Sequence, residues 1–429
     1  MIDRIWIAAA ALLLALPLSA QNGAYNGYSP YSVYGIGDLH AAGTAYNASM
    51  GGVGIATRNK RFINTMNPAS ATARDSLSFM ADFGLSGKFS LFTQDDLKGT
   101  KTLFNINDFV ISFPLWRRTA VMTGIKPFSD TGFSMAYADK ITSGDQSIGY
   151  TGNRAYGAYG DGGLNQFFLS ASALLWNRLA IGAEYDLYFG TISKYSMSQF
   201  SDASYRTQTL GDTLQVRAHT AKFGLQYEQP IGTGKLVVGA TYRLKAKVSG
   251  HAVEYSNISE LDLGQHSLDK DGISIGDELG VGLSYARGDK WSMEFDYIRG
   301  DWTGSNFDAV RGFRNNGVYS FSTAKTQSFK AGFELTPNRN DIRYFMRRCT
   351  YRVGAYMDQS YYQVNGNNIT SAGITLGMTV PVYQGYNGIT FAIDLGQRGF
   401  GTAFVKEKYL GFHIGFNIFD IWFRKPQYQ

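Results

Sequence analysis

Read at a period of two, the chain divides into segments of about ten residues in which one parity is apolar and the other polar or small. Across 236–248, Leu236, Val238, Ala240, Tyr242, Leu244, Ala246 and Val248 share one parity, and Thr241, Arg243, Lys245 and Lys247 share the other. A helix would scatter these cations around its surface, whereas a strand sends them all to one side. The alternation recurs: Leu179, Ile181, Ala183, Tyr185, Leu187 and Phe189 oppose Glu184 and Asp186, and Trp291, Met293, Phe295 and Tyr297 oppose Ser292, Glu294 and Asp296. It returns near the end, where Leu410, Phe412, Ile414, Phe416 and Ile418 oppose Gly411, His413, Gly415 and Asn417. Soluble sandwiches alternate too, but their outward residues are polar and their strands shorter, so the pattern predicts strands that face lipid.

The connections alternate between short and long. Short ones occupy 114–117, 176–178, 230–234, 287–290 and 381–385, and long ones centre on 88–103, 141–162, 196–212, 250–270 and 302–320. That is the asymmetry of periplasmic turns and extracellular loops in an outer-membrane barrel. Strands laid between them run over 76–86, 105–113, 118–140, 163–175, 178–195, 213–229, 235–249, 271–286, 290–301, 321–336, 348–362, 369–380, 388–398 and 406–419. The expected fold is all-β, a transmembrane antiparallel β-barrel of about 14 strands. The third span is interrupted by Pro127, which donates no ladder bond, and by Gly132, which weakens one; a kink or bulge is expected there. The alternative is two strands, 118–126 and 131–140, joined by a hairpin, which would break the even count.

The chain ends add a leader and a plug. Residues 1–20 carry the charged start, apolar run and small-residue site of a secretory signal peptide, with cleavage expected after Ala20; the apolar run is too short for a membrane anchor. Residues 21–75 are rich in Gly, Ala, Asn and Tyr and lack alternation, so they are expected to fold as an N-terminal hatch in the lumen, with residues 76–429 as the barrel. The glycine and same-face apolar residues of 411–416 resemble the carboxy-terminal signal of barrel substrates.

Composition agrees with a girdled barrel: 50 Gly, 28 Tyr and 29 Phe, with only 17% charged residues. Cys349 is the single cysteine, so no disulfide framework forms. The net charge of +6 gathers into no basic run, which argues against a nucleic-acid partner. Five histidines show no metal-ligand spacing and no nucleophile motif or phosphate loop occurs, so no enzyme activity, metal or cofactor is expected. The carboxylates Glu184, Asp186, Glu294 and Asp296 are paired by spacing on polar strand faces. Opposite Arg243, Lys245 and Lys247, they read as lumen charges that hold the plug.

These residues carry a family resemblance. The stretch Ser29-Pro-Tyr-Ser-Val-Tyr-Gly-Ile-Gly-Asp38, then Met50-Gly-Gly-Val-Gly-Ile55 and Asn67-Pro-Ala69, resembles Bacteroidota outer-membrane proteins of the FadL/TodX (long-chain fatty acid transporter) superfamily. Asp161-Gly-Gly-Leu-Asn165, Leu395-Gly-Gln-Arg-Gly399 and Trp422-Phe-Arg-Lys425 match as well. The resemblance implies fourteen strands and a hatch carrying Met50, Gly51, Gly52, Asn67, Pro68 and Ala69. It also implies a hydrophobic ligand path and a lateral opening at Pro127, Phe128 and Gly132. The implied role is an outer-membrane channel for fatty-acid-like small molecules in a Gram-negative envelope, in contact with outer-membrane lipid and lipopolysaccharide. The loops offer only Phe89, Leu91, Phe92 and Phe104 as a capture site. This keeps open a second role, a non-transporting scaffold or shuttle component with outer-membrane protein partners in an export or assembly complex.

Overall fold

Fourteen antiparallel strands close on themselves, and the alternation explains why: each strand turns one parity to the lumen and the other outward. The computed structural model describes residues 27–74, 78–141, 152–202, 204–257, 265–308, 321–382, 387–400 and 405–421. The strands are β1 Ser78–Gln94, β2 Leu97–Trp116, β3 in two segments Thr119–Asp130 and Phe133–Ile141, β4 Gly152–Leu175, β5 Leu179–Phe200 and β6 Gln208–Ile231. They continue with β7 in segments Gly234–Arg243 and Ala246–Ser256, β8 Asp277–Arg287, β9 Trp291–Asp301, β10 in segments Phe321–Thr323 and Lys325–Leu335, β11 Thr350–Val364, β12 Asn367–Pro381, β13 Gly388–Arg398 and β14 Lys406–Ile421. Sequential neighbours pair throughout, and β1 closes on β14 from Ser78↔Ile421 to Thr93↔Lys406. Outward positions such as Ile181, Tyr185, Phe223, Leu225, Leu283 and Phe295 are exposed apolar side chains, as lipid requires. Among the described residues no helix is long and apolar enough to cross a membrane.

Both segments of β3 pair antiparallel with β4, from Thr119↔Ala173 to Asp130↔Gly163 and from Phe133↔Gly160 to Ile141↔Gly152. The span is therefore one kinked strand, not a hairpin. The region 88–103, expected to be a long loop, is strand instead: β1 and β2 extend together to Gln94↔Leu97 and turn on Asp95, whose φ is 51°.

A second correction lies in β7. Its partner in β6 changes from Lys222↔Arg243 to Ala218↔Val248, a slip of one residue at Leu244–Lys245. Because the side-chain period is two, one extra residue exchanges the faces. Arg243 is buried in the lumen, but Lys245 and Lys247 are exposed on the outer face, and Ala246 and Val248 are buried. The expectation that these two lysines face the lumen is overturned.

The lumen is filled in two layers. Towards the short-turn end, the N-terminal segment 44–73 lies against the wall and contributes Ile63 and Ala71 to an apolar cluster with Met80, Val110, Met122 and Phe168. Towards the long-loop end, Tyr31 and Ile36 join wall residues Phe128, Leu164, Tyr188 and Ile192, and Trp302 and Phe307 from beyond β9, in a larger core. The expected boundaries at residues 20 and 75–76 lie outside the described residues.

Candidate functional site: the interrupted ladder and the N-terminal segment beside it

The β2–β3 ladder stops at Phe109↔Ile125, although both strands run on. Beyond that point no residue of β2 pairs with β3, and the ladder of the wall is interrupted. The cause is local: Pro127 supplies no N–H, and the register against β4 shifts between Pro127 and Ser129. Asp161–Gly162 of β4 lies opposite Thr131–Gly132, and the Thr131 N–H donates to the Gly162 carbonyl at 2.8 Å. Gly162 has a φ of 103°, which only glycine adopts readily.

The chain's own N-terminal segment bonds along β3 beside this interruption. Asp38–Leu39 pairs with Ser129–Asp130 as a short added strand, and the His40 N–H donates to the Phe128 carbonyl at 2.9 Å. Lower in sequence, the Ser29 N–H and the Ser32 Oγ both donate to the Gly132 carbonyl at 2.8 Å, and the Ser32 Oγ accepts the Gly132 N–H at 3.1 Å. Contact is so close that a Cβ built on Gly132 would lie 1.5 Å from the Gly27 carbonyl oxygen. Tyr28 touches strands on both sides of the interruption. Its ring meets Phe92 of β1 at 5.8 Å and the Lys101 ammonium of β2 at 5.0 Å, while its hydroxyl donates to the Ser134 carbonyl of β3 at 3.0 Å. Phe92 thus faces inward, whereas Phe104 meets Phe412 outside in a tilted contact at 6.2 Å and Phe89 is exposed.

Charge reinforces the seam. His40 and Asp130 pair directly. Burial disfavours the imidazolium, but the Asp130 carboxylate outweighs it and holds the His40 pKa above its ordinary value. On the opposite wall Asp38 receives both guanidinium arms of Arg398, at 2.7 and 2.8 Å, and Arg398 also donates to the Tyr362 hydroxyl at 2.7 Å. The Ile36 N–H donates to the Tyr361 hydroxyl at 3.0 Å, which donates on to the Gly37 carbonyl at 2.9 Å. Two motifs read separately in the sequence, 29–38 and 395–399, therefore meet in space.

Deeper in the lumen, Met50 is fully buried and the Gly51 N–H donates to Thr375 Oγ1 at 2.8 Å. Gly52 lies over the end of the Lys330 side chain. Asn67 caps the 3-10 turn Pro68–Ala73 by accepting the Ala69 N–H at 3.0 Å, and its amide donates to the carbonyls of Ile55 at 2.8 Å and Leu225 at 3.2 Å. Asp296 accepts the N–H groups of Gly54 at 2.6 Å and Ile55 at 3.0 Å, and Glu294 accepts the Thr57 hydroxyl. Glu184 and Asp186 instead meet wall residues, Lys222 at 3.8 Å and Gln166 at 2.7 Å. Arg243 donates to the Gly276 carbonyl at 3.3 Å and stands over the Phe128 ring at 5.8 Å.

Sequence reading missed several contributors. Lumen-facing glycines mark where the N-terminal backbone touches the wall: a Cβ on Gly354 would lie 2.2 Å from the Gly51 nitrogen, and one on Gly224 would lie 2.1 Å from the Asn67 amide oxygen. Arg352 was also missed; it pairs with Glu334 at 2.7 Å and covers the Tyr46 ring at 4.5 Å. The available signal was glycine recurring at inward parity, which a lipid-facing pattern alone leaves unexplained.

A ring of fourteen antiparallel strands whose outward parity is apolar defines a membrane-type β-barrel. In three dimensions the chain is similar to the CymD monoaromatic hydrocarbon channel, with a TM-score of 0.55 at 14% identity, over 89% of this chain and 98% of that one. It is similar to a FadL homologue of Pseudomonas aeruginosa, with a TM-score of 0.54 at 10% identity, over 90% of this chain and 100% of that one. The same holds for the toluene transporter TodX of Pseudomonas putida, with 0.53 at 13% identity, 90% and 100% covered. No curated protein matches the sequence. The chain belongs to the BamG family, whose model it matches over residues 1–429.

Proposed function

We propose that this protein is an outer-membrane barrel that passes hydrophobic small molecules sideways between lumen and bilayer, with residues 27–40 as a gate in the β2–β3 gap. The observation that carries the reading is the interrupted ladder beyond Phe109↔Ile125, which lies beside an apolar core containing Phe128, Leu164 and Tyr188. A lateral exit suits apolar cargo, because the ligand enters the bilayer without crossing the polar outer leaflet. The likeness in fold to hydrocarbon channels supports the same reading. Glu294, Asp296 and Asn67 then act as hatch anchors, and Pro127, Phe128 and Gly132 form the rim of the opening.

A second reading, a barrel that carries protein partners in an export or assembly complex, is favoured by one observation. The long-loop half of the lumen is filled by side chains, with Trp302, Phe307, Tyr361 and Tyr362 fully buried. One experiment separates the two. Replacing residues 127–132 with a regular alternating strand should leave an assembled barrel that no longer admits a fluorescent apolar probe into proteoliposomes. Unchanged probe entry would remove the lateral route. Loss of no phenotype, together with stoichiometric protein partners and no bound lipid-like molecule after mild detergent purification, would favour the partner-bearing role.

A further inference from the structure

The short-turn end of the barrel has one exception to its brevity. Between β10 and β11 the chain takes the long path 336–349, while its neighbours turn within a few residues. This path is ordered by its own contacts. The Asp341 carboxylate accepts the N–H groups of Arg343 at 2.9 Å and Tyr344 at 2.7 Å and so holds the start of the helical turn Phe345–Arg348, while the Asn338 N–H donates to the Arg347 carbonyl at 2.9 Å.

What it presents outward is unusual. Ile342 is 100% exposed, Met346 56%, Tyr344 51% and Phe345 43%. Arginines are interleaved with them: Arg347 stands 4.7 Å from the Tyr344 ring centroid and Arg348 stands 5.0 Å from that of Phe345. Arg339 and Arg343 lie in the same stretch, against the single carboxylate Asp341. The turn also leans on the lipid-facing wall, since the hydroxyl of Tyr351, an outward residue of β11, donates to the Met346 carbonyl at 3.0 Å. Exposed Trp116 and Trp176 mark the same rim on other short turns.

We propose that 339–348 is a membrane-surface anchor that seats Ile342, Tyr344, Phe345 and Met346 in the adjoining phospholipid leaflet and binds anionic headgroup phosphates through Arg343, Arg347 and Arg348. Three facts select lipid as the occupant: the patch is continuous with the lipid-facing wall, it combines apolar and aromatic groups with cations as interfacial segments do, and its charge is complementary to phosphate. Arg347 also gives one N–H to the Asp341 carboxylate at 3.4 Å, and the remaining N–H donors of guanidinium groups held over aromatic rings are placed to face a phosphate from the plane of the rim.

The test uses the full-length protein in nanodiscs of phosphatidylcholine alone or with added phosphatidylglycerol. A polarity-sensitive dye is placed on Ile342→Cys in a Cys349→Ala background. Quenching of the dye by lipids spin-labelled near the headgroup is expected, as is retention of phosphatidylglycerol in native mass spectra. The triple variant Arg343→Gln, Arg347→Gln, Arg348→Gln should lose that retention, with affinity falling on the order of tenfold or more, while the barrel keeps its heat-modifiable migration. A dye open to aqueous iodide in both discs overturns the proposal. So does a phosphatidylglycerol preference that survives the triple variant, or shielding of the dye only when periplasmic protein is added, which would assign the patch to a protein partner.

Discussion

Gly132 shows how much a single missing side chain can decide. Its N–H and carbonyl both bond to the N-terminal segment, and the Gly27 backbone lies where a Cβ would be. Gly132→Ala should push residues 27–32 off the β3 edge while leaving the fourteen-strand ladder in place, at a local cost of about 1–3 kcal/mol typical of an overpacked site. Faster amide exchange at Ser29 and increased entry of an apolar probe, with normal heat-modifiable migration, are the expected readouts. Unaltered exchange at Ser29 would show that this segment is not held by the Gly132 edge. The position was legible as a weak point in a strand, but the occupant of the weak point was not, because residues about a hundred positions apart leave no periodic trace.

At the scale of elements, period-two patterning was readable wherever a strand runs straight and unreadable where it slips. Leu179 to Phe189 and Trp291 to Tyr297 face as their alternation indicates. Lys245 and Lys247 do not, because the bulge at Leu244–Lys245 lies in a run that alternates without interruption in sequence. Lysines suit water outside the barrel as well as a polar lumen, so composition could not arbitrate. The contacts between Arg398 and Asp38 were hidden for a similar reason: each residue belongs to a recognisable motif, but complementary charge across 360 residues carries no spacing rule. The N-terminal element is tied down by Asp296, whose carboxylate takes two backbone N–H groups. Asp296→Asn should weaken both bonds by about 2 kcal/mol in total, giving roughly thirtyfold faster exchange at Gly54 and Ile55. Exchange unchanged at both amides would mean that neighbouring contacts such as Gln226 to the Ile55 carbonyl hold the segment alone.

For the molecule as a whole, the strand count and the closure were legible because lipid imposes the same pattern on every span. The extent of the strands was not, since β1, β2, β5 and β6 continue past the alternating zone into extended hairpins whose outward residues answer to water instead of lipid. Orientation rests on the inequality of the two ends and can be checked directly. An epitope inserted at the Asn365–Gly366 turn should be stained on intact cells, whereas one at the Arg287–Lys290 turn should be stained only after the envelope is opened. The opposite pattern would invert the barrel and move the arginine-rich turn to the outer leaflet.

The seam between β1 and β14 has a consequence for how such a chain is made. The seam joins the first and last strands, and the N-terminal segment that precedes the first lies within the ring they complete, pressed against wall glycines that leave no clearance. A ring already zipped shut would have to admit some fifty residues through an end crowded by side chains. The order of events in biogenesis is therefore constrained: the leading segment must nest in the nascent curl of sheet while it is still open, and the last strand, arriving after everything else has been delivered, locks the cargo of its own chain inside.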